Sequence, residues 1–271
     1  MSIALLSSLF AGLLAGALPA SSPPDAGSEH VRASLVAEQS ALVPGTSAWL
    51  GLRLEHDPHW HSYWINPGDS GLPTRLAWQL PDGYAAGEIA WPVPRRFVVG
   101  ELNNFGYDGD LLLPVRIEVP ASAQPGSSAH LEVQAKWLVC QEECIPGKAT
   151  LALDVPVRDV ASADPRHAGA FAVARAAQPR AEDASASARL AGDRIEVVVH
   201  GAGLEAAGID AFAVTTRVVG NAPPHVEPRP GGVALSFAKS DYFTSMPTAL
   251  DLVVLRPPGD ALKVRAASGA P

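Results

Sequence analysis

The stretch Leu131-Glu132-Val133-Gln134-Ala135-Lys136-Trp137-Leu138-Val139-Cys140-Gln141-Glu142-Glu143-Cys144 decides the fold. Val133, Ala135, Trp137 and Val139 alternate with Glu132, Gln134 and Lys136. A side-chain period of two is that of a β-strand with one buried face. By the same parity Cys140 falls on the polar face at the strand's end. A turn marked by Pro146-Gly147 follows Cys144, and then a second strand aligns Leu151, Leu153 and Val155 on one face. The reading places both thiols at the tip of a hairpin rather than in the core.

Working outward, short period-2 runs recur at 31–37, 47–55, 76–80, 111–119 and 149–157, separated by turn residues. The 271 residues include 25 Pro and 24 Gly, a density that argues against long helices. Regular short strands with turn signals predict an all-β fold, an immunoglobulin-like antiparallel sandwich over residues 30–157. All six Trp (49, 60, 64, 78, 91 and 137) lie in this part of the chain, so its core differs from that of the remainder. Residues 158–186 form an Ala-rich linker. In it Asp164-Pro165 sets up an N-cap and first helical position for a short helix over 166–177. Runs at 187–190, 194–200, 233–237, 250–255 and 262–264 predict a second, smaller β domain over 187–266. With no Cys or Trp and no dense polar cluster, that domain reads as a spacer or docking module.

Residues 3–18 form a nearly unbroken apolar run that ends in small-residue sites such as Ala15-Gly16-Ala17 or Ala20-Ser21-Ser22. This pattern predicts a signal peptide over residues 1–20 and export. No later run reaches the ~18 apolar residues of a membrane helix. The net charge is -8 with no basic run, which argues against nucleic acid as a partner. There is no Gly-x-Ser-x-Gly elbow, phosphate-cradling Gly loop or His-Glu-x-x-His motif, and no cofactor is expected.

Cys140 and Cys144 are the two cysteines of the chain. In the chain-entropy picture a five-residue ring stabilises by only about 2 kcal/mol, against ~4.7 for a hundred-residue loop. A purely structural clip at this spacing is therefore weak, and a reactive redox pair is favoured over a clip or a metal site. Glu142 and Glu143 oppose a thiolate while Lys136 and Lys148 favour one. The balance points to exchange with a matched partner protein rather than to a general oxidant. A competing copper-binding reading takes His59-Trp60-His61, with His56 nearby. His-x-His on a strand would turn both rings to one face, and His59, His61, Cys140 and Cys144 would complete a soft ligand set. The Asn66-Pro67-Gly68-Asp69-Ser70-Gly71 run reads as a structural loop that borders the cysteine hairpin.

The run His59-Trp60-His61-Ser62-Tyr63-Trp64-Ile65-Asn66-Pro67-Gly68-Asp69-Ser70-Gly71-Leu72-Pro73-Thr74 resembles the N-terminal periplasmic domain of the DsbD/ScsB thiol:disulfide interchange proteins. So do Ile89-Ala90-Trp91-Pro92-Val93-Pro94, Asn104-Phe105-Gly106-Tyr107 with Leu113-Pro114-Val115, and Trp137 through Gly147. The similarity is greatest to the copper-sensitivity-suppressor branch and covers about residues 30–157. It implies an immunoglobulin-like redox domain in the periplasm, a protein-disulfide reductase component. A thioredoxin-like domain would reduce it, and it would in turn reduce isomerase-type, thioredoxin-fold disulfide proteins. In that scheme Cys144 forms the mixed disulfide and Cys140 resolves it. The family also shields its pair with an aromatic-bearing cap loop, which the resemblance places at Phe97 to Leu102 and Phe105, with Tyr63 and Tyr107 as further cap or partner contacts. Classical members space their cysteines more widely and continue into a membrane domain that supplies electrons, so the expected donor here is a separate membrane protein. A non-catalytic docking module is the remaining alternative.

Overall fold

A computed structural model of the chain describes residues 26–181, 184–257 and 259–269. The expected signal peptide at 1–20 lies outside the described residues. The strands of the first half are β1 (Ala26–Ser28), β2 (Val31–Ala37), β3 (Ser47–His56), β4 (His61–Gly68), β5 (Arg75–Gln79), β6 (Ala85–Ile89), β7 (Arg95–Val99), β8 (Leu102–Asp108), β9 (Asp110–Glu118), β10 (Ser128–Cys140) and β11 (Cys144–Pro156). Helix α1 (Ala168–Ala176) follows. The second half holds β12 (Ser185–Ala191), β13 (Arg194–His200), β14 (Asp210–Ala213), β15 (His225–Arg229), β16 (Gly232–Ala238), β17 (Ala249–Arg256) and β18 (Asp260–Ser268).

The first half is an antiparallel sandwich. One sheet runs β1-β2-β3-β9-β6; the other runs β11-β10-β4-β8-β7, with β5 pairing alongside β10. The alternation that predicts β10 is the burial pattern found: Leu131, Val133, Ala135, Trp137 and Val139 are buried and face Leu50, Leu52, Leu54, Leu113 and Val115 of the opposite sheet within one core. The turn, however, is not at Pro146-Gly147. It spans Gln141–Glu143, where Gln141 N–H donates to the Glu143 carbonyl, and β11 already begins at Cys144. Gly147 is paired with Trp137 across the strands, and a Cβ there would sit 2.2 Å from the indole Nε1. The residue is therefore bare so that the ring can lie across it.

Helix α1 is shorter than the 166–177 expected. Its cap position is His167, which makes no side-chain cap bond; Asp164 instead accepts the Arg166 N–H through its carboxylate at 2.9 Å, closing a turn before the helix. The segment is more than a linker, because Phe171 and Ala174 bury themselves against Val36 and Leu112 on the outside of the sandwich. Among the described residues no helix is long and apolar enough to cross a membrane.

The second half forms a seven-stranded sheet, ordered β14-β17-β18-β12-β13-β16-β15, with its own core of Ile195, Val197, Val199, Leu235, Leu250 and Leu252. Several side chains of this half leave that core, among them Val253, Ala261 and Phe212. Phe212 of β14 enters the first core instead, edge-on to Trp64 (centroids 6.3 Å) and Phe105 (5.0 Å). Phe212→Ala is therefore expected to destabilise the first sandwich by about 3–5 kcal/mol. Urea unfolding followed by tryptophan fluorescence checks this directly, since every tryptophan belongs to that sandwich.

Candidate functional site

Cys140 and Cys144 are directly paired by register at the turn end of the β10–β11 hairpin and are joined by a disulfide, with their Cα atoms 4.2 Å apart. The two sulfurs stand in unlike surroundings. Cys144 is exposed, but Cys140 is only 3% accessible. Strand parity does put Cys140 on the outer face of the sheet. That face is not open to solvent at this end, because it is covered by the hairpin of β7 and β8 and by aromatic residues of β4.

The cover is built in layers. On its other side Cys140 is the register partner of His61, so their Cβ atoms lie on the same face about 5 Å apart. The His61 ring is stacked under Phe97 of β7 (4.5 Å, 9°) and meets Tyr63 edge-on (5.3 Å). Tyr63, buried, brings its hydroxyl to 3.8 Å from Cys144 Sγ. The Asn66–Gly71 run does border this hairpin: Gly71 has φ +92°, and a Cβ on it would lie 2.2 Å from the Tyr63 ring. Part of the run is strand, since β4 continues to Gly68. Asn104 fixes the loop by accepting hydrogen bonds from Ser70 N–H and Oγ–H, each at 3.0 Å.

Two of the expected cap residues sit elsewhere. Phe105 is 1% accessible and faces the core, packed on Phe212 and under the Arg96 guanidinium. Tyr107 is buried, with its hydroxyl donating to the Pro92 carbonyl at 2.7 Å. Neighbouring strand positions point to opposite faces, so β8 cannot direct Phe105 and Tyr107 at the disulfide face that Asn104 and Gly106 occupy. Phe97 alone of the four is a partly exposed cover, and Val98, Val99 and Leu102 at the hairpin end are exposed.

The four-ligand metal arrangement is not assembled. His59 lies in the turn before β4 with φ +73° and is exposed, whereas His61 is buried within the strand, so the two rings do not share a face. His56 is engaged by the Gly109 carbonyl (2.8 Å) and Ser62 Oγ (2.9 Å). Among the described residues no group of three or more His, Cys, Asp and Glu is placed to hold a metal ion.

The sequence of residues 32–156 matches the family described as thiol:disulfide interchange protein DsbD, N-terminal. This part of the chain therefore resembles a DsbD N-terminal domain over that span, and it carries the Cys140–Cys144 pair. The fold is similar to the crystal structure of the N-terminal periplasmic domain of ScsB from Proteus mirabilis. The TM-score is 0.68 at 17% identity, over 91% of this chain and 100% of that one, so the likeness includes the second half. The YadV chaperone structure, at TM-score 0.22 and 11% identity over 86% of this chain and 99% of that one, carries no argument. No curated protein sequence matches the chain.

Burial pushes the His61 imidazole below its ordinary value; nearby His56 adds to the effect and Asp108 opposes it. His56 is lowered chiefly by burial, against the Gly109 carbonyl, Asp108 and Asp110. A neutral buried histidine has its folded value depressed, so its stabilising share is complete above the unfolded value near 6.5 and is lost as pH falls through that value toward the folded one. The urea midpoint of the oxidised protein is thus expected to fall between about pH 7 and pH 5, and His61→Phe to flatten that slope. An unchanged slope in the variant assigns the effect to other groups.

Proposed function

We propose that the domain is a periplasmic thiol-disulfide exchange module that passes electrons to thioredoxin-fold proteins of the disulfide-isomerase kind, with Cys144 as the attacking sulfur and Cys140 as the resolving one. The observation that carries the reading is the asymmetry of the pair: Cys144 is exposed at a hairpin end, while Cys140, its direct register partner, is buried. An exchange partner meets Cys144 first, and a mixed disulfide on that sulfur keeps Cys140 within bonding reach.

In the reduced domain the Cys144 thiolate attacks a partner disulfide. A new S–S bond forms, and the partner's second sulfur leaves as a thiolate and takes up a proton. The Cys140 thiolate then attacks Cys144 Sγ, and the partner's first sulfur leaves in the same way. Two electrons and two protons have moved to the partner, and Cys140–Cys144 is the disulfide seen here. A thioredoxin-like dithiol restores the reduced pair by the reverse sequence. The exposed Val98, Val99 and Leu102 at the end of the cover, with Leu72 beside Gly71, offer an apolar rim for the partner. The family match over residues 32–156 and the periplasmic origin of the ScsB domain support the class of reaction and the compartment.

The resolving thiol gives the test. Cys140→Ser is expected to accumulate a mixed disulfide through Cys144 with a thioredoxin-fold protein, visible on a non-reducing gel, while Cys144→Ser accumulates none. If Cys140→Ser traps nothing under conditions in which the unmodified pair is reduced and reoxidised, the exchange role falls.

A further inference from the structure

The second half of the chain meets the disulfide cover most closely at Arg96. Arg96 and Phe97 are neighbours on β7, so their side chains leave opposite faces of the strand. Phe97 stacks on His61, the register partner of Cys140. Arg96, only 10% accessible at its side chain, enters the junction with the second sheet. Its guanidinium lies 5.0 Å from the Phe105 ring of the first core and 5.0 Å from the Phe212 ring of the second unit. Nη2 donates to both oxygens of Asp210, at 2.9 and 3.2 Å, and Nη1 donates to the Asn221 carbonyl. Asp210 is held in turn by the Ala211 N–H at 2.7 Å.

Two further bridges cross the junction close by. Asn221 Nδ2 donates to Asp69 Oδ1 (2.8 Å), whose other oxygen accepts the Asn103 N–H (2.7 Å) at the start of β8. Asn66 Nδ2, buried, donates to the Ala213 carbonyl (2.7 Å). Both strands of the cover are thus tied to the segment 210–221. A planar guanidinium between two rings with a carboxylate at its end is a geometry that only Arg satisfies, and in so dry a setting it fixes the backbone that carries it.

We propose that Arg96 is a positioning residue through which the second β unit holds Phe97 closed over Cys140, so that this unit sets how readily the resolving sulfur is uncovered. The purpose of the device rests on the thiol-exchange reading, but the clamp is measurable without any partner. Cys144→Ser leaves Cys140 as the single thiol of the chain, and its alkylation by iodoacetamide then reports opening of the cover. Alkylation is expected to be slow in that background and fast after Phe97→Ala. Arg96→Ala and Asp210→Asn, one on each side of the junction, should each accelerate it about tenfold, the loss of one charge-assisted hydrogen bond. Combined, they should give no more than the larger single effect, because they remove the same contact. Arg96→Lys should fall between the parent and Arg96→Ala. Val197→Ala, which truncates the second core away from the junction, should react at the parent rate.

The proposal is overturned if Arg96→Ala and Asp210→Asn react at the parent rate while Phe97→Ala is fast, or if Val197→Ala matches Arg96→Ala, which would make the effect one of general stability. It is equally overturned if the parent is alkylated as fast as the urea-unfolded chain, since nothing would then be covered. None of these outcomes depends on mixed-disulfide trapping, so the clamp and the exchange role fail separately.

Discussion

The continuous antiparallel ladder between β10 and β11 is the constraint on which the site depends. It pairs every residue from Ser128 with Pro156 to Cys140 with Cys144, without a register shift. Because the inner positions of β10 are committed to the sandwich core from Ala129 to Val139, the phase of the strand cannot slip by one residue without expelling that whole set. Cys140 is therefore fixed on the outer face, opposite Cys144 on one side and His61 on the other. Neither cysteine has freedom to choose its neighbour.

From that fixed point the chemistry follows from what lies above. A disulfide at an uncovered hairpin end would offer both sulfurs equally. Here His61, the register partner of Cys140, carries Phe97 on its ring and Tyr63 at its edge, and Cys140 is buried while Cys144 stays accessible. On the proposed exchange reading, this asymmetry sets the order of attack by packing rather than by a charged group. The cover itself is a two-stranded hairpin, and such hairpins are marginal when alone. Its inner face is completed by Phe105, Arg96 and the inserted Phe212, so the stability of the cover is borrowed from both β units.

The sandwich was legible in the sequence wherever one face of a strand is buried and the other wet. β10 shows it most clearly, with buried Leu131, Val133, Ala135 and Trp137 alternating with half-buried or exposed positions. The same rule fails for β4, where His61, Ser62, Tyr63 and Trp64 are buried in succession. A strand covered on both faces has no period of two to read. It also fails for β7 and β8, whose Phe105 and Tyr107 turn inward while Phe97 turns outward. The aromatic content of this region was visible, but which ring faced the disulfide was set by register with β4, a fact absent from local pattern. The His-x-His spacing misled for a related reason: His59 is in a left-handed turn, so strand parity does not extend to it.

The sequence by itself determined the all-β sandwich, the hairpin that brings Cys140 and Cys144 together, and the family that residues 32–156 resemble. These rest on local alternation, on a four-residue separation and on contiguous motifs. Only the tertiary structure decided that Cys140 is buried and Cys144 is not, that the histidines do not gather, and that the second β unit grips the cover through Asp210, Phe212 and Asn221. Burial is a property of what packs on a surface from distant parts of the chain, and residues 96 and 210 meet only once both sheets are in place.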